Sequence, residues 1–253
     1  MISEKNLTED ESGNPTFRVY LSPHFDDVAF SLGGFVGRHP GGVLINLFTR
    51  GNFTADGGSA RAPDEADIEA TRATRSAEDR TFADGGGLEQ MDLMLDEPML
   101  RGRRPRGGEG IDDDVAQLQP LATRLAELAG RTTGRRILFS PAAIGDHVNH
   151  MATFRYIAQH LPLLEQHYSV VFYEDLPYAR HPVARWKHVA RAQAALAPRK
   201  VRRLAMPVRN VGQKVGFVRG YESQHRRAPI SLRRFSPGAP WPLVWHEAVW
   251  SFE

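Results

Sequence analysis

Five side chains in two short stretches have the types that metal-assisted hydrolysis needs. They are His24, Asp26 and Asp27 in Ser22-Pro23-His24-Phe25-Asp26-Asp27, and His147 and His150 in Gly145-Asp146-His147-Val148-Asn149-His150. If His150 joins His24 and Asp27 around one ion, two imidazoles and a carboxylate form a facial set with a coordination position left open for water, the mark of a catalytic metal site. Asp26, beside a ligand but pointing elsewhere, could accept the proton of that water. His147, one helical turn before His150, could polarise a scissile carbonyl or protonate a leaving group. Zn²⁺ in such a site would lower the pKa of the water and take up oxyanion charge. Each stretch also has a plain structural reading: an Asp pair after a strand commonly caps a helix, and His-x-x-His at a helix start is commonly a solvated or capping pair. What favours the chemical reading is that both stretches follow a Pro at the carboxyl end of an expected strand.

Those strands alternate with helices along the chain. Apolar, β-branched runs predict strands at 16–24, 41–51, 88–95, 135–141 and 168–178, bounded by Gly or Pro. Helical patterns follow the first strand and occupy 64–84, 113–129, 147–161 and 183–196, the last stopped by Pro198. Near-continuous apolar strands between helices imply an α/β fold with a mostly parallel sheet covered on both faces. In such a sheet ligands bind at the carboxyl ends of the strands, where the five residues fall. Residues 1–15 read as a loose arm and 16–253 as one domain. Asn52 to about Pro63 reads as a mobile loop after the second strand, and RGRRPRGGEGID (101–112) as a Gly- and Arg-rich excursion.

At 253 residues, with 41% apolar and 25% charged side chains, the chain has globular composition. It has no Cys, which excludes disulfide scaffolds, Cys-based zinc sites, iron–sulfur clusters and thiol nucleophiles, so any metal must rest on His and carboxylates. The first residues lack a signal-peptide core and no run approaches the roughly 20 apolar residues of a membrane span, so a cytoplasmic location without membrane insertion is expected. The net charge of +2 hides an asymmetry: residues 180–236 hold 15 Arg or Lys against one acid, Glu222, while the rest holds 17 basic and 29 acidic side chains. Such a segment suits an anionic substrate or a solvated surface. No nucleic-acid motif accompanies it, so nucleic acid is not an expected partner.

SPHFDDVAFSLGG and GDHVNH together resemble the two signatures of the LmbE-like or PIG-L de-N-acetylases, usually written Pro-His-Pro-Asp-Asp-Glu with a following Gly pair, and His-Pro-Asp-His. Weaker echoes follow in order: Thr49-Arg50-Gly51, Arg75-Ser76-Ala77-Glu78 and Tyr221-Glu222-Ser223-Gln224, so the resemblance spans roughly residues 16–226. It implies a Rossmann-like fold and zinc-dependent removal of an acetyl group from an N-acetylglucosamine-type conjugate. One Zn²⁺ or other divalent ion would sit on His24, Asp27 and His150, with Asp26 as general base and His147 opposing the oxyanion.

The chain departs from the pattern at Phe25 and Val28, which are not ligand positions, and at Asn149, where relatives have an Asp that orients the first histidine. Asp146 could compensate, so Asp146 and Asn149 are the orienting candidates for His147. Some relatives place an oxyanion-assisting Tyr where this chain has Gly145; that donor is absent or comes from elsewhere. Substrate contacts are expected from Arg75, Asp96 and Arg101, against the alternatives of a helix-surface Arg75–Glu78 pair and an ordinary loop acid. Lys214, Tyr221 and Gln224 either close a wall of the site or pack on helix surfaces. Trp241, Trp245 and Trp250 suit a core or a contact in a homo-oligomer. An anionic conjugate, nucleotide- or lipid-linked, is the expected substrate. The competing readings are a metal-dependent phosphoesterase, which would need more carboxylates and a second ion, and a carbohydrate-binding member that has lost catalysis.

Overall fold

The computed structural model describes residues 3–54, 63–224, 236 and 245–252. In chain order its elements are α1 (Glu4–Thr8), β1 (Phe17–Ser22), α2 (Asp27–Arg38), β2 (Gly42–Asn46), α3 (Glu65–Gly86), β3 (Leu88–Asp92), α4 (Ile111–Gln117), α5 (Gln119–Ala129), β4 (Arg136–Pro141), α6 (Val148–Leu164), β5 (Ser169–Tyr173), α7 (Pro182–Ala195), β6 (Val201–Pro207), α8 (Val211–Arg219) and β7 (His246–Phe252). The strands form one sheet in the order β3-β2-β1-β4-β5-β7-β6, parallel from β3 to β5, with β7 antiparallel to both β5 and β6. This is the expected mostly parallel α/β architecture, with a two-stranded antiparallel extension that the apolar-run reading did not find.

Side chains alternate across the strands and supply two cores. Val19, Leu21, Val43, Ile45 and Leu138 face one layer with α4 to α7, whereas Tyr20, Leu44, Ile137 and Phe139 face the other with α2 and α8. Burial on both faces is why these strands read as continuous apolar runs. The strand order reverses between β1 and β4, so the connections from their carboxyl ends leave toward opposite faces and open a crevice there. β1 runs into α2 and β4 into α6, which places both chemical stretches at that switch point.

Three local differences from the sequence reading are informative. The expected arm contains α1, whose Leu7 is buried and whose carbonyl accepts from Thr16 Oγ1 at 2.8 Å, so this part packs on the domain. The run 113–129 is two helices meeting at Leu118, where Pro120 in the first turn of α5 starts the second. The last expected strand stops at Tyr173, and Glu174–Tyr178 turns over the crevice. The centre of the loop predicted after β2, residues 55–62, lies outside the described residues, as does Trp241. Among the described residues no helix is long and apolar enough to cross a membrane.

Candidate active site

Asp26 occupies the N-cap position of α2, yet its side chain makes no capping hydrogen bond, so the plain capping reading does not account for it. Asp27 faces inward instead. Its Oδ2 accepts from the His24 backbone N–H at 2.8 Å and lies 3.2 Å from His24 Nδ1, while its Oδ1 lies 3.3 Å from His150 Nε2. The rings of His24, His147 and His150 converge, with centroids 4.6 to 5.3 Å apart. Thus the five residues named from the sequence meet at one place. His24, Asp26, Asp27 and His147 line an open cavity of about 300 Å³, together with Phe30, Phe53, Arg75, Glu97, Met99, Arg106, Tyr178 and Gln224.

Electrostatics separates the two adjacent carboxylates. Burial and the charge of Asp27 push Asp26 up to about 6, against the pull of Arg75 and His24. Burial also penalises Asp27, but His150 and His24 outweigh it and hold Asp27 well below the usual carboxylate range. Burial opposes a charged His150 as well, yet Asp27 and Asp175 raise it to about 10. His147 has no such partner: burial and the neighbouring imidazoles His24 and His150 push it down to about 2, so it is neutral. Its Nδ1 accepts the Asn149 backbone N–H at 3.4 Å, which places the single ring proton on Nε2.

The orienting residues differ from those expected. Asn149 turns its side chain to His24, with Nδ2 3.0 Å from His24 Nε2 and its buried Oδ1 without a partner. Asp146 points away from His147; left-handed at φ 58°, it pairs with Arg191 at 2.8 Å and with His188 at 3.5 Å. A different histidine does have an acid on it: Asp175, not named from the sequence, has its Oδ1 2.6 Å from Nδ1 of His150, not of His147, and its Oδ2 accepts the Ile144 N–H at 2.9 Å. An acid in the Glu174-Asp175 step past a strand's carboxyl end was the available signal.

Of the expected substrate residues, Arg75 is in place: it is buried in the cavity wall, 2.8 Å from Glu97 and 3.9 Å from Asp26, rather than on the helix surface with Glu78. Asp96 pairs with Arg50 at 2.8 Å, and Arg101 with the enclosed Asp114; neither lines the cavity. Glu97 holds the inward position beside Asp96. The Lys214 side chain is buried behind α2 on Glu247, and Tyr221 donates to Asp79 Oδ1 at 2.6 Å, leaving Gln224 as the member of that trio that lines the cavity. None of the Arg or Lys in 180–224 lines it either. Several of them pair with acids from other parts of the chain: Arg203 with Glu174, Arg199 with Glu165, Arg191 with Asp146. Arg226, Arg227, Arg233 and Arg234 lie outside the described residues.

Tyr178 forms the wall next to the histidines, its ring 6.0 Å from that of His150. It can stand there because residue 145 is Gly: at φ 110° that backbone suits glycine, and a Cβ would come 2.4 Å from Tyr178 Cγ.

No protein-family model matches the chain. In sequence it is similar to a 2'-N-acetylparomamine deacetylase of Streptomyces fradiae, 33% identical over 177 residues, which are 64% of this chain and 57% of the relative. The chain therefore matches little more than half of that curated relative's length. In fold it matches a teicoplanin deacetylase solved in a zinc-inhibited form, with TM-score 0.63, 18% identity, and coverage of 94% of this chain and 98% of the other. An A40926 pseudoaglycone deacetylase matches with TM-score 0.61 at 18% identity, over 94% and 97% of the two chains. The sequence relative is thus a deacetylase, and the chain shares its fold with the teicoplanin and A40926 deacetylases.

Proposed function

We propose that this chain is an N-deacetylase of the LmbE-like kind that hydrolyses the acetamide of an N-acetylglucosamine-type amino-sugar conjugate with the help of one divalent ion, Zn²⁺ by preference. The observation that carries the reading is the convergence of His24, Asp26, Asp27 and His147 on one cavity at the switch point of the sheet, with His150 Nε2 3.3 Å from Asp27 Oδ1. Sequence similarity to a deacetylase supports the same chemistry.

The donor set fits such an ion. Two imidazoles stand 3.2 and 3.3 Å from the two oxygens of an ionised carboxylate, about the separation of neighbouring donors on one small tetrahedral cation. Asp175 fixes His150 through Nδ1 and leaves Nε2 toward Asp27, the usual support of a ligating histidine. Bound there, the ion would act as Lewis acid toward the acetyl carbonyl and promote ionisation of water. A phosphoesterase with two ions is less well supported, because the donor clusters among the described residues share His24.

The remaining chemistry belongs to the protein. Asp26, near 6, accepts a proton from the attacking water and returns it to the departing amine, a range suited to both transfers near neutral pH. Arg75, clamped by Glu97, stabilises the ionised form of Asp26. Neutral His147 directs its Nε2–H to the carbonyl oxygen as negative charge develops, donating without giving up its proton. The C–N bond breaks to give acetate and a free amine. Incubation of the metal-loaded protein with N-acetylglucosaminides tests the reading by acetate release. Release that vanishes on chelation is expected; no acetate from any N-acetylated amino sugar, or undiminished release by Asp26→Ala, would overturn it.

A further inference from the structure

The Gly- and Arg-rich excursion supplies the cavity with a cation. Arg106 lines it, with its guanidinium carbon 5.6 Å from the centre of the Tyr178 ring. Its backbone is fixed: residue 106 bridges His147 in antiparallel fashion, and Pro105 O accepts the Val148 N–H at 2.9 Å. The loop that presents Arg106 is thereby tied to the first residues of α6, which carry the reacting histidines.

Neighbouring arginines are neutralised. Arg75 has Glu97 and Asp26, Arg50 has Glu65 and Asp96, and Arg101 and Arg103 share Asp114. Arg106 has no carboxylate partner among the described residues, and its side chain is exposed at the mouth. Beside it the mouth is apolar, with Phe53 49% and Met99 48% exposed while lining the same cavity. A site that holds the sugar at the histidines leaves this surface for whatever the sugar is attached to.

We propose that Arg106 selects a carboxylate on the apolar aglycone of the substrate. The assignment rests on the deacetylase reading only for the sugar's placement. A planar guanidinium matches a carboxylate through two parallel N–H donors, and the Tyr178 ring beside it lies within cation–π range. One unpaired positive charge balances one negative charge. A phosphate dianion would call for a second free cation, which Arg75, committed to acids, does not supply. The specificity-determining charge is thus at residue 106 rather than on an Arg or Lys of the described stretch 180–224.

Three matched glycosides test this: phenyl, 4-carboxyphenyl and 4-(aminomethyl)phenyl N-acetyl-β-glucosaminide. Dissociation constants are read by calorimetry on the metal-loaded Asp26→Asn chain, which keeps the acetamide intact, and acetate release on the native chain. The carboxyphenyl conjugate is expected to bind about tenfold or more tighter than the aminomethyl one, the scale of a charge-assisted hydrogen bond. Arg106→Gln should abolish that preference and Arg106→Glu reverse it, while Arg104→Gln retains it. Equal binding of all three conjugates, binding of none, or a preference that survives Arg106→Gln would overturn the proposal. If charge preference is present but no conjugate releases acetate, Arg106 keeps its role and the deacetylase reading fails.

Discussion

Lys214 Nζ lies 2.5 Å from Glu247 Oε1, and both side chains are almost wholly enclosed. The pair clasps the middle of α2: Lys214 donates to the carbonyls of Ala29 and Phe30, and Glu247 accepts the N–H groups of Gly34 and Phe35. Gly34 of the first motif's Gly pair eases this approach, since a Cβ there would come 3.2 Å from Glu247 Oε1. Removing either charge strands the other in the interior. Lys214→Met or Glu247→Gln alone should cost about 3–5 kcal/mol, and the double variant less than the sum. Chemical denaturation of the three variants measures the coupling.

One divalent ion per chain is expected by elemental analysis. Asp27→Ala or His150→Ala should remove both the ion and acetate release. Two ions per chain, or full occupancy in both variants, would contradict the assignment.

Asp175→Asn should weaken the ion's binding by about 10- to 100-fold, because the carboxylate that aligns His150 becomes a neutral amide. Competition with a chelator of known affinity measures the loss. Turnover at saturating metal should fall less than turnover at limiting metal, which separates this supporting role from a direct part in the reaction.

Asp26→Asn and His147→Ala should each slow hydrolysis by about 10²-fold or more with the ion retained. Metal content measured beside initial rates distinguishes them from ligand variants. Normal turnover in a metal-replete Asp26→Asn chain would remove the base assignment.

Asp79 predicts a pH dependence of stability. Burial raises its carboxyl to about 8, although Tyr221 and Asn46 donate to it. An unfolded Asp ionises near pH 4. As pH climbs from about 4 to about 8 the unfolded chain releases this proton while the folded chain keeps it, so stability falls across that window and levels above it. In Asp79→Asn this contribution is gone. The stability of the variant relative to the native chain should therefore rise with pH between 4 and 8; a flat difference would contradict the shift.

The parallel part of the sheet and the convergence of the five residues proposed to react were legible because the strands are buried on both faces and because motif residues sit where strands end. The misplacements have local causes. Asp96 and Glu97 are neighbours on extended backbone, so their side chains face opposite ways, and sequence does not say which faces Arg75. β6 carries Arg202 and Arg203 and packs beside β7, far away in the chain, so its apolar pattern is weak. Lys214 reads as a surface lysine until Glu247, 33 residues later, is seen to close over it.

Gly145 and Tyr178 compete for one volume. One combination is therefore closed: a relative with a side chain at residue 145 must have moved its aromatic ring off residue 178, and one that keeps the ring must keep the glycine. Across homologues a side chain at 145 and an aromatic ring at 178 placed as here should not occur together. Grafting a bulky residue onto 145 of this chain, without a compensating truncation of Tyr178, would displace that ring from its place in the cavity wall.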